Sequence, residues 1–470
     1  MKSALLRGVG ILAVAAMGLS ACSSSGSSSS GASGEGNSGI PKPAVSCDVP
    51  AQNIDASKLD LTKLSGEITF QTQGLKGTFD DYINGKIKEF EEANPGTTIK
   101  WTDQAGSADF DSLMVTQAAN CSMPDVVNVP GSTIMALSSS NLLLDFDVKA
   151  PGIGDKFVPA IWDSVKFAAQ EHHNALPWYF GPYLTTYNKD VFKKAGLDPN
   201  TPPTTMTDYF ADAQKIADSG SGDYALYGNT SWYMVPQWRA SGVKMMNDDY
   251  TKFTFAQDKN ALEWVTQMAD LYKKGAIPPD SITGDLDQSK AYGAGNLGYG
   301  TPNASFLRNV QTNSGSVYAV TGVGEETRNE GITPVFDGQY LGVSVTTKNA
   351  PLAVAWSEFI TNEKSGLEWA QYGIDTGKAV VFPATTKALQ DPLLAEVSGD
   401  DVFSQARKIA AKEALEAEAY VPLFYVTGQV SDALINNINK AIVGQVSPQE
   451  GLDNAQTEMN SLLTKLQRNR

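Results

Sequence analysis

The residue with the most distinctive chemistry in this chain of 470 residues is Cys22, because its neighbours are those of a thiol that receives lipid. Cys22 follows Leu19-Ser20-Ala21, which ends an apolar stretch (Val9–Leu19) that begins after two basic residues. A positive start, a short apolar run and small residues before the cut are typical of an export signal. The run is shorter than the ~20 apolar residues that cross a bilayer. We therefore predict a lipoprotein signal peptide over 1–21, with an ordinary secretory signal as the alternative.

The other two cysteines, Cys47 and Cys121, follow a segment with almost no apolar side chains. Residues Ser23–Gly39 are nearly all Ser and Gly, a composition that cannot bury a core and stays disordered. We predict a tether over 22–65 that holds the folded body near a membrane. Outside the cell a disulfide persists, so Cys47 and Cys121 are expected to pair, with two buried thiols as the alternative.

Three other patterns that could indicate chemistry are weak. Gly293, Gly295 and Gly298 match a dinucleotide fingerprint by letters, but no predicted strand precedes them and the expected acidic residue is missing. His172 and His173 are the only histidines. Adjacent residues do not share a helix face, and the sequence shows no Cys or carboxylate cluster to complete a metal site with them. We therefore expect surface histidines, no metal ion, no cofactor and no catalytic residues.

Length and charge limit the class of protein further. The ~420 residues from Cys47 onward exceed one ordinary core, so two domains are expected. The formal net charge of −16 repels phosphate backbones and argues against nucleic-acid binding. No second apolar stretch reaches the length that spans a bilayer, so the predicted body is attached to the membrane and does not traverse it.

Strands and helices alternate along the body, which predicts an α/β fold. Residues Gly66–Thr72 alternate like a strand, and Asp125–Val129 reads as a buried parallel strand. Between them lies a helix with one apolar face, formed by Phe79, Tyr82, Ile83, Ile87 and Phe90. Further predicted elements are strands over Thr97–Trp101, Leu184–Tyr187 and Tyr340–Val345, and helices over Phe110–Ala119, Lys189–Ala195, Met206–Ala217, Asn260–Lys274, Pro351–Thr361 and Gln449–Gln467.

Several short segments together resemble a known family. They are Asn94-Pro95 after Phe90, Pro124-Asp125-Val126-Val127, the run from Leu176 to Leu197, the run from Gly338 to Lys348, and Gly444 to Leu452. Each is weak alone, but their order and spacing resemble the extracellular solute-binding proteins of ABC importers, in the sugar-binding, maltodextrin-type branch. The resemblance covers nearly the whole body.

The resemblance implies a two-lobe fold of the type II periplasmic-binding-protein class, with ligand in the cleft between the lobes. The chain should cross between the lobes near 177–183, 340–345 and 377–383. Lobe 1 would then comprise 66–177 and 344–378, and lobe 2 would comprise 183–340 and 384–470. The implied function is binding of a sugar or oligosaccharide by lobe closure and delivery to membrane permease subunits. The protein would be a monomer on the extracellular face of the cell membrane.

The resemblance also indicates which residues should contact a ligand. Sugars need hydrogen bonds for their hydroxyls and flat apolar surface for their C–H faces, which aromatic rings provide. The predicted contacts are Gln73, Gly74, Gly131, Trp178, Tyr183, Trp232, Tyr233, Tyr299, Asn303 and Tyr425. For each aromatic residue a place in the core is the alternative, and Trp264 and Trp356 are expected to be core.

Two other functions remain open from sequence alone. A secreted glycoside hydrolase would need two carboxyl groups ~5–9.5 Å apart across the cleft, and the aromatic-rich candidate segments contain no Asp or Glu. A binding protein for a polyamine or a peptide would need charged groups in the cleft. The uncharged candidate set favours a neutral ligand and predicts that the protein is not an enzyme.

Overall fold

The structure is a computed structural model, and it describes most of the chain beyond the Ser/Gly-rich segment. The described residues are 43, 45–106, 110–166, 172–228, 230, 233–249, 251–283, 286–302, 304–377, 380–395, 398–414, 418–419 and 428–468. Four residues with predicted roles lie outside this part of the chain, namely Cys22, Trp232, Asn303 and Tyr425.

Within the described residues, the main sheet has seven strands in the order β2-β1-β3-β7-β4-β8, with β9 also paired to β7. β1 is parallel to β2 and β3, whereas β7 is antiparallel to β3 and β4. β5 and β6 form a separate antiparallel pair. The strands are β1 (Gly66–Gln73), β2 (Thr97–Gln104), β3 (Val126–Pro130), β4 (Leu176–Pro182), β5 (Leu184–Asn188), β6 (Thr321–Glu325), β7 (Val335–Val343), β8 (Phe382–Pro383) and β9 (Glu418–Ala419).

Helices flank these strands throughout, which confirms the predicted α/β class. The helices are α1 (Ala51–Ile54), α2 (Lys76–Ala93), α3 (Phe110–Ala119), α4 (Gly131–Ser139), α5 (Phe146–Lys149), α6 (Pro159–Ser164), α7 (Lys189–Lys194), α8 (Met206–Asp218), α9 (Met234–Ala240), α10 (Lys259–Lys273), α11 (Pro279–Thr283), α12 (Gln288–Gly293), α13 (Ala304–Asn313), α14 (Gly315–Tyr318), α15 (Ala350–Ile360), α16 (Glu363–Thr376), α17 (Thr386–Leu389), α18 (Pro392–Ala395), α19 (Val402–Ala414), α20 (Gln429–Ile442) and α21 (Pro448–Arg468). Short 3-10 helices cover Ile153–Lys156 and Phe255–Gln257. No helix in the described part of the chain is both long and apolar enough to cross a bilayer.

The first lobe is built on β1, β2 and β3 and the helices packed against them. The predicted apolar face of α2 is buried, as the 3.6-residue period requires. Phe90 at one end of that face packs on Trp356 of α15, with ring centroids 5.4 Å apart. Phe79 at the other end packs on Trp369 of α16, at 5.2 Å. Burying each such aromatic side chain contributes ~1.5–3 kcal/mol, and Trp356 is a core residue as predicted.

The second lobe has a separate core between β5 and the helices α8, α9, α10, α20 and α21. Trp238 and Trp264 are buried in it, the latter as predicted. Helix α19, which the predicted boundary at 384 assigns to the second lobe, contacts both lobes. Arg407 of α19 donates from Nη2 to the carbonyl oxygen of Gly373 in α16, at 2.8 Å. Glu413 of the same helix pairs with Arg328, at 2.7 Å, so α19 links the two lobes although its apolar residues pack in the first core.

The predicted crossing segments correspond to three strands that lie side by side. β7, β4 and β8 are consecutive in the sheet. β7 begins at Val335, five positions before the predicted strand, so the crossing strand extends further towards the second lobe than the sequence indicates. A register shift between Pro177 and Tyr179 of β4 marks a bulge, which re-aims the side chains that follow it.

The residues just before β1 are part of the first lobe and not free tether. Asn53 is buried and donates from Nδ2 to the carbonyl oxygens of Val345 and Thr347, at 2.9 and 2.8 Å. Buried Lys149 donates from Nζ to the Asp55 carboxylate, at 2.9 Å. Cys47 and Cys121 are joined by a disulfide. The predicted tether boundary at 65 is therefore too late, because side chains from residue 47 onward bind the folded body.

Candidate functional site

The accessible face of β4 and β7 forms a polar floor at the junction of the two lobes. Tyr179 pairs with Gln339, and Gly181 pairs with Asp337, in the antiparallel register of these strands. Side chains two positions apart on a strand share a face, so Asp337 and Gln339 lie on the same side as Tyr179. Asp337 is exposed and Gln339 and Tyr179 are half-buried, whereas the intervening Gly338 and Phe180 are buried. Solvent therefore reaches this face of the sheet.

Side chains from the carboxyl ends of β1 and β3 extend the floor into the first lobe. The Asn128 Nδ2 group donates to Gln339 Oε1 at 3.2 Å, and the Asn128 Oδ1 atom accepts from the backbone N–H of Gln73 at 3.3 Å. Gly74 follows with φ +68°, and a side chain there would meet no atom within 4 Å. Gly131 begins α4 at the end of β3. Gln73, Gly74 and Gly131 thus lie where open α/β sheets bind ligands, next to free space in front of Gly74.

An aromatic wall supports the floor on the side of the first lobe. The Tyr179 ring lies 4.5 Å from that of Trp369 and 5.4 Å from that of Trp178. Trp178 is only 2% exposed and packs on Phe70, at 5.9 Å. The predicted ligand contact Trp178 is therefore a core residue beneath the site, and its neighbour Tyr179 is the aromatic residue that solvent reaches.

A charged group of α13 lies near Tyr179 and near the first lobe. Arg308 of α13, in the second lobe, places its guanidinium 6.0 Å from the ring centre of Phe79 in the first lobe. Burial lowers the pKa of Arg308, and the nearby Tyr179 opposes that effect. Burial raises the pKa of Tyr179, and its charged neighbours are Arg308, Asp337 and Asp103. Tyr179 is therefore the residue near which Arg308, Asp337 and Asp103 all lie.

Asp337 is the carboxyl group in this set that is available to a ligand. Although solvent reaches it, the surrounding protein raises its pKa to about 6 through desolvation, partly opposed by a hydrogen bond from the Gly338 backbone N–H. Asp103 is already used as a structural acceptor for Thr72 Oγ1 at 2.6 Å and for the backbone N–H of Leu75 at 2.9 Å. Asp103 is thus committed to holding the start of α2, which leaves no second free carboxyl beside Asp337 among the described residues of this group.

The predicted site residues of the second lobe occupy two different environments. Tyr183 is buried and contacts half-buried Tyr233, with ring centroids 5.9 Å apart. Burial raises the pKa of Tyr233. Tyr299 is 3% exposed and packs on Tyr209 at 4.3 Å, inside the second core. Tyr183 and Tyr233 therefore lie together, whereas Tyr299 is a core residue separated from solvent.

Sequence reasoning missed the polar and charged members of the site. Asp337 and Gln339 lie in a stretch of β7 that precedes the predicted strand, and Arg308 lies on a helix that was not predicted. Extending the period-2 pattern of β7 backwards from Tyr340 would have placed Asp337 and Gln339 on one face. The candidate site therefore differs from the predicted uncharged set, because it includes Asp337 and has Arg308 near Tyr179.

Comparisons with known proteins agree with this architecture. Residues 76–366 match the family of bacterial extracellular solute-binding proteins. The sn-glycerol-3-phosphate-binding periplasmic protein UgpB of Escherichia coli O1:K1 / APEC is 23% identical over 417 residues, which cover 84% of this chain and 92% of that protein.

Solved structures share the fold at low sequence identity. The ABC substrate-binding protein Lmo0181 from Listeria monocytogenes, in complex with cycloalternan, has a TM-score of 0.69 at 20% identity and covers 85% of this chain and 100% of that one. Maltose-bound MalE3 of T. maritima has a TM-score of 0.66 at 19% identity and covers 84% of this chain and 99% of that one. The two-lobe fold is thus that of maltose-type binding proteins, and the chain belongs to the bacterial extracellular solute-binding proteins, which bind solutes and are not enzymes.

Proposed function

We propose that this protein binds a carbohydrate between its lobes and delivers it to the permease of an ABC importer. The observation that carries the proposal is the floor formed by Tyr179, Asp337 and Gln339, with Arg308 of α13 near Tyr179. A carboxylate accepts two hydrogen bonds side by side and a guanidinium donates two, so both groups suit neighbouring hydroxyls on a sugar ring. The half-buried Tyr179 ring offers a flat surface to the C–H face of the same ring.

Lobe closure is the proposed mechanism. A ligand that contacts Tyr179 on β4 and Arg308 on α13 touches both lobes, so it stabilises the closed arrangement by its differential affinity. The motion is proposed to occur about β4, β7 and β8, the three adjacent crossing strands. We propose lobe boundaries close to the predicted ones (66–177 with 344–378, and 183–340 with 384–470), with α19 as a bridge between the lobes.

The location is part of the same proposal. The signal over 1–21 and the small residues before Cys22 support lipid attachment at that thiol and a monomer held at the extracellular face of the membrane. The Ser/Gly-rich composition of Ser23–Gly39 suits a flexible tether. Mass spectrometry of the protein from membranes should show a mature N-terminus at Cys22 that carries acyl chains. A mature N-terminus at any other residue would contradict lipid attachment at Cys22.

The ligands in the names of relatives range from cycloalternan and maltose to sn-glycerol 3-phosphate. A polyol phosphate is the second candidate ligand, and Arg308 is the observation that favours it. Among the described residues no carboxylate forms an ion pair with this partly buried guanidinium, and arginine is well suited to bind phosphate in a bidentate manner.

A ligand screen decides between the two candidates. The purified protein would be heated with a panel of mono- and oligosaccharides and with polyol phosphates, because a ligand that binds only the folded state raises the melting temperature. Binding constants would then be measured by calorimetry for Asp337→Asn, and for Asp218→Asn as a control on the exposed end of α8. We expect a sugar to bind and Asp337→Asn alone to weaken it. Binding of a phosphate ester and of no sugar would favour the second candidate, and no ligand in either class would refute the proposal.

A further inference from the structure

Both histidines of the chain lie against aspartates of the first lobe, His172 near Asp145 and Asp147 and His173 near Asp147. His172 Nδ1 is 3.4 Å from Asp145 Oδ2 and 3.9 Å from Asp147 Oδ2. Ligand atoms of Asp145, Asp147 and His172 all lie within 4.8 Å of one another. His172 is exposed as expected, whereas the expectations of a surface position for His173 and of no carboxylate cluster are wrong. The chain folds the loop with His172 and His173 back onto the start of α5, where Asp145 and Asp147 are found.

The distances from His172 to the two carboxylates are close to those between neighbouring ligands of a small cation. Zinc bonds to nitrogen and oxygen of 2.0–2.2 Å at tetrahedral angles require ligand atoms roughly 3.3–3.6 Å apart. The His172–Asp145 distance of 3.4 Å lies in this range and the His172–Asp147 distance of 3.9 Å lies just above it. Two carboxylates and one neutral imidazole also balance the charge of a divalent cation. His172 is 52% exposed, so water has access to a fourth position.

Neighbouring groups already hold both carboxylates in place. Asp145 uses its other oxygen, Oδ1, to accept from the backbone N–H groups of Asp147 and Val148, at 3.0 and 3.3 Å. Asp147 contacts Nδ1 of His173, 2.8 Å away. The His173 side chain is 5% exposed and stacks on Trp162, with ring centroids 3.9 Å apart. Outer hydrogen bonds of this kind orient the ligands in metal sites.

We propose that Asp145, Asp147 and His172 bind a divalent transition-metal cation of the Zn²⁺ class, with His173 as a positioning residue that fixes Asp147. Imidazole together with carboxylate selects such ions over Mg²⁺, which prefers oxygen ligands alone. His172 and His173 lie just before β4, and the His173 carbonyl oxygen accepts from the backbone N–H of Phe146, at 2.9 Å. The bound ion therefore fastens the loop that leads into the first crossing strand to α5. The site is separate from the ligand floor on β4 and β7.

The test is titration of the metal-depleted protein, purified with a tag that lacks histidine. Since the chain has two histidines and both lie here, histidine NMR signals report on the site without assignment of the rest. We expect one equivalent of ZnCl2 to shift these signals and MgCl2 to leave them unchanged. His172→Ala and Asp147→Asn should each weaken zinc binding at least ~10-fold. Asp198→Asn, which alters an exposed aspartate in a turn, should bind zinc as the wild type does.

Two results would overturn the proposal. One is the absence of any histidine shift at a tenfold excess of zinc, which would leave only an imidazole–carboxylate hydrogen-bond cluster. The other is unchanged zinc affinity in His172→Ala, which would place the ion elsewhere. Because His172 is exposed, this variant should fold, and circular dichroism checks that it does. Asp147→Asn removes a partner of buried His173, so its result counts only where the spectrum matches the wild type.

Discussion

Protonation of Asp337 should control the affinity for ligand between pH 5 and 7.5. At pH 7.5 the group is ionised and both of its oxygens accept hydrogen bonds from ligand hydroxyls, whereas in the protonated form one oxygen carries a proton and donates it. With a pKa of about 6 and a ligand that binds the ionised form, the apparent Kd rises by a factor of up to 1 + 10^(pKa − pH), which is about 2 at pH 6 and about 11 at pH 5. An aspartate at its ordinary pKa of 3.8 would change the Kd at pH 5 by less than ~10%. The difference is large enough for calorimetry to resolve.

The variant Asp337→Asn provides the matched measurement. Loss of hydrogen bonds to a charged acceptor costs ~1.5–3 kcal/mol, so at pH 7.5 the Kd should rise about 10–150-fold. Asparagine does not titrate, so the dependence on pH between 5 and 7.5 should disappear in the variant. Because solvent reaches Asp337, the midpoint in the wild type should lie at or somewhat below pH 6. A wild-type Kd that is constant over this range, or a variant that keeps the dependence, would refute the assignment of Asp337 to the site.

Three further predictions concern stability and the part of the site outside the described residues. Burial raises the pKa of Glu326 from 4.5 to about 8 while it accepts from the Val335 N–H, so its contribution to stability is present below about pH 4.5 and lost as pH rises through 8. Glu326→Gln should therefore have a free energy of unfolding about 1–3 kcal/mol larger than the wild type at pH 8.5, with a correspondingly higher melting temperature, and match it at pH 4.5; equal melting curves at pH 8.5 would contradict this. Replacing Cys47 and Cys121 by Ala removes a cross-link across 74 positions. By constraining the unfolded chain, that cross-link adds at most ~4.5 kcal/mol to the free energy of unfolding. Urea unfolding of the variant should show a smaller loss, because the residues before β1 can detach locally. Trp232→Ala should weaken sugar binding by ~1–3 kcal/mol, and unchanged affinity in a folded variant would remove Trp232 from the site.

Local patterns in the sequence predict the helices and strands well, because each helix or strand depends mainly on residues close together along the chain. The apolar face of α2 from Phe79 to Phe90 is buried as its period requires, and α3 begins and ends at the predicted residues. Trp264 and Trp356 were correctly placed in the core because they lie within helical patterns.

The candidate site was harder to predict, because it depends on how distant segments align. The bulge between Pro177 and Tyr179 leaves Trp178 buried and Tyr179 accessible, and nothing in the local sequence distinguishes two adjacent aromatic residues. The pairing of Gly181 with Asp337 joins positions 156 residues apart, which only the folded sheet reveals. The pair His172 and His173 was misjudged for the same reason, since the aspartates beside it lie about 25 positions earlier in the chain.

The attachment of the segment before β1 determines which lobe a membrane tether would restrain. Asn53, Lys149 and the Cys47–Cys121 bond fix that segment to the first lobe alone. A chain attached to the membrane at Cys22 would therefore restrain the first lobe only, and the second lobe would move relative to it without displacing the attachment point. The length of the proposed Ser/Gly-rich tether and the opening angle of the cleft should consequently be independent, so shortening the tether should change access to the permease while leaving the affinity for solute unaltered.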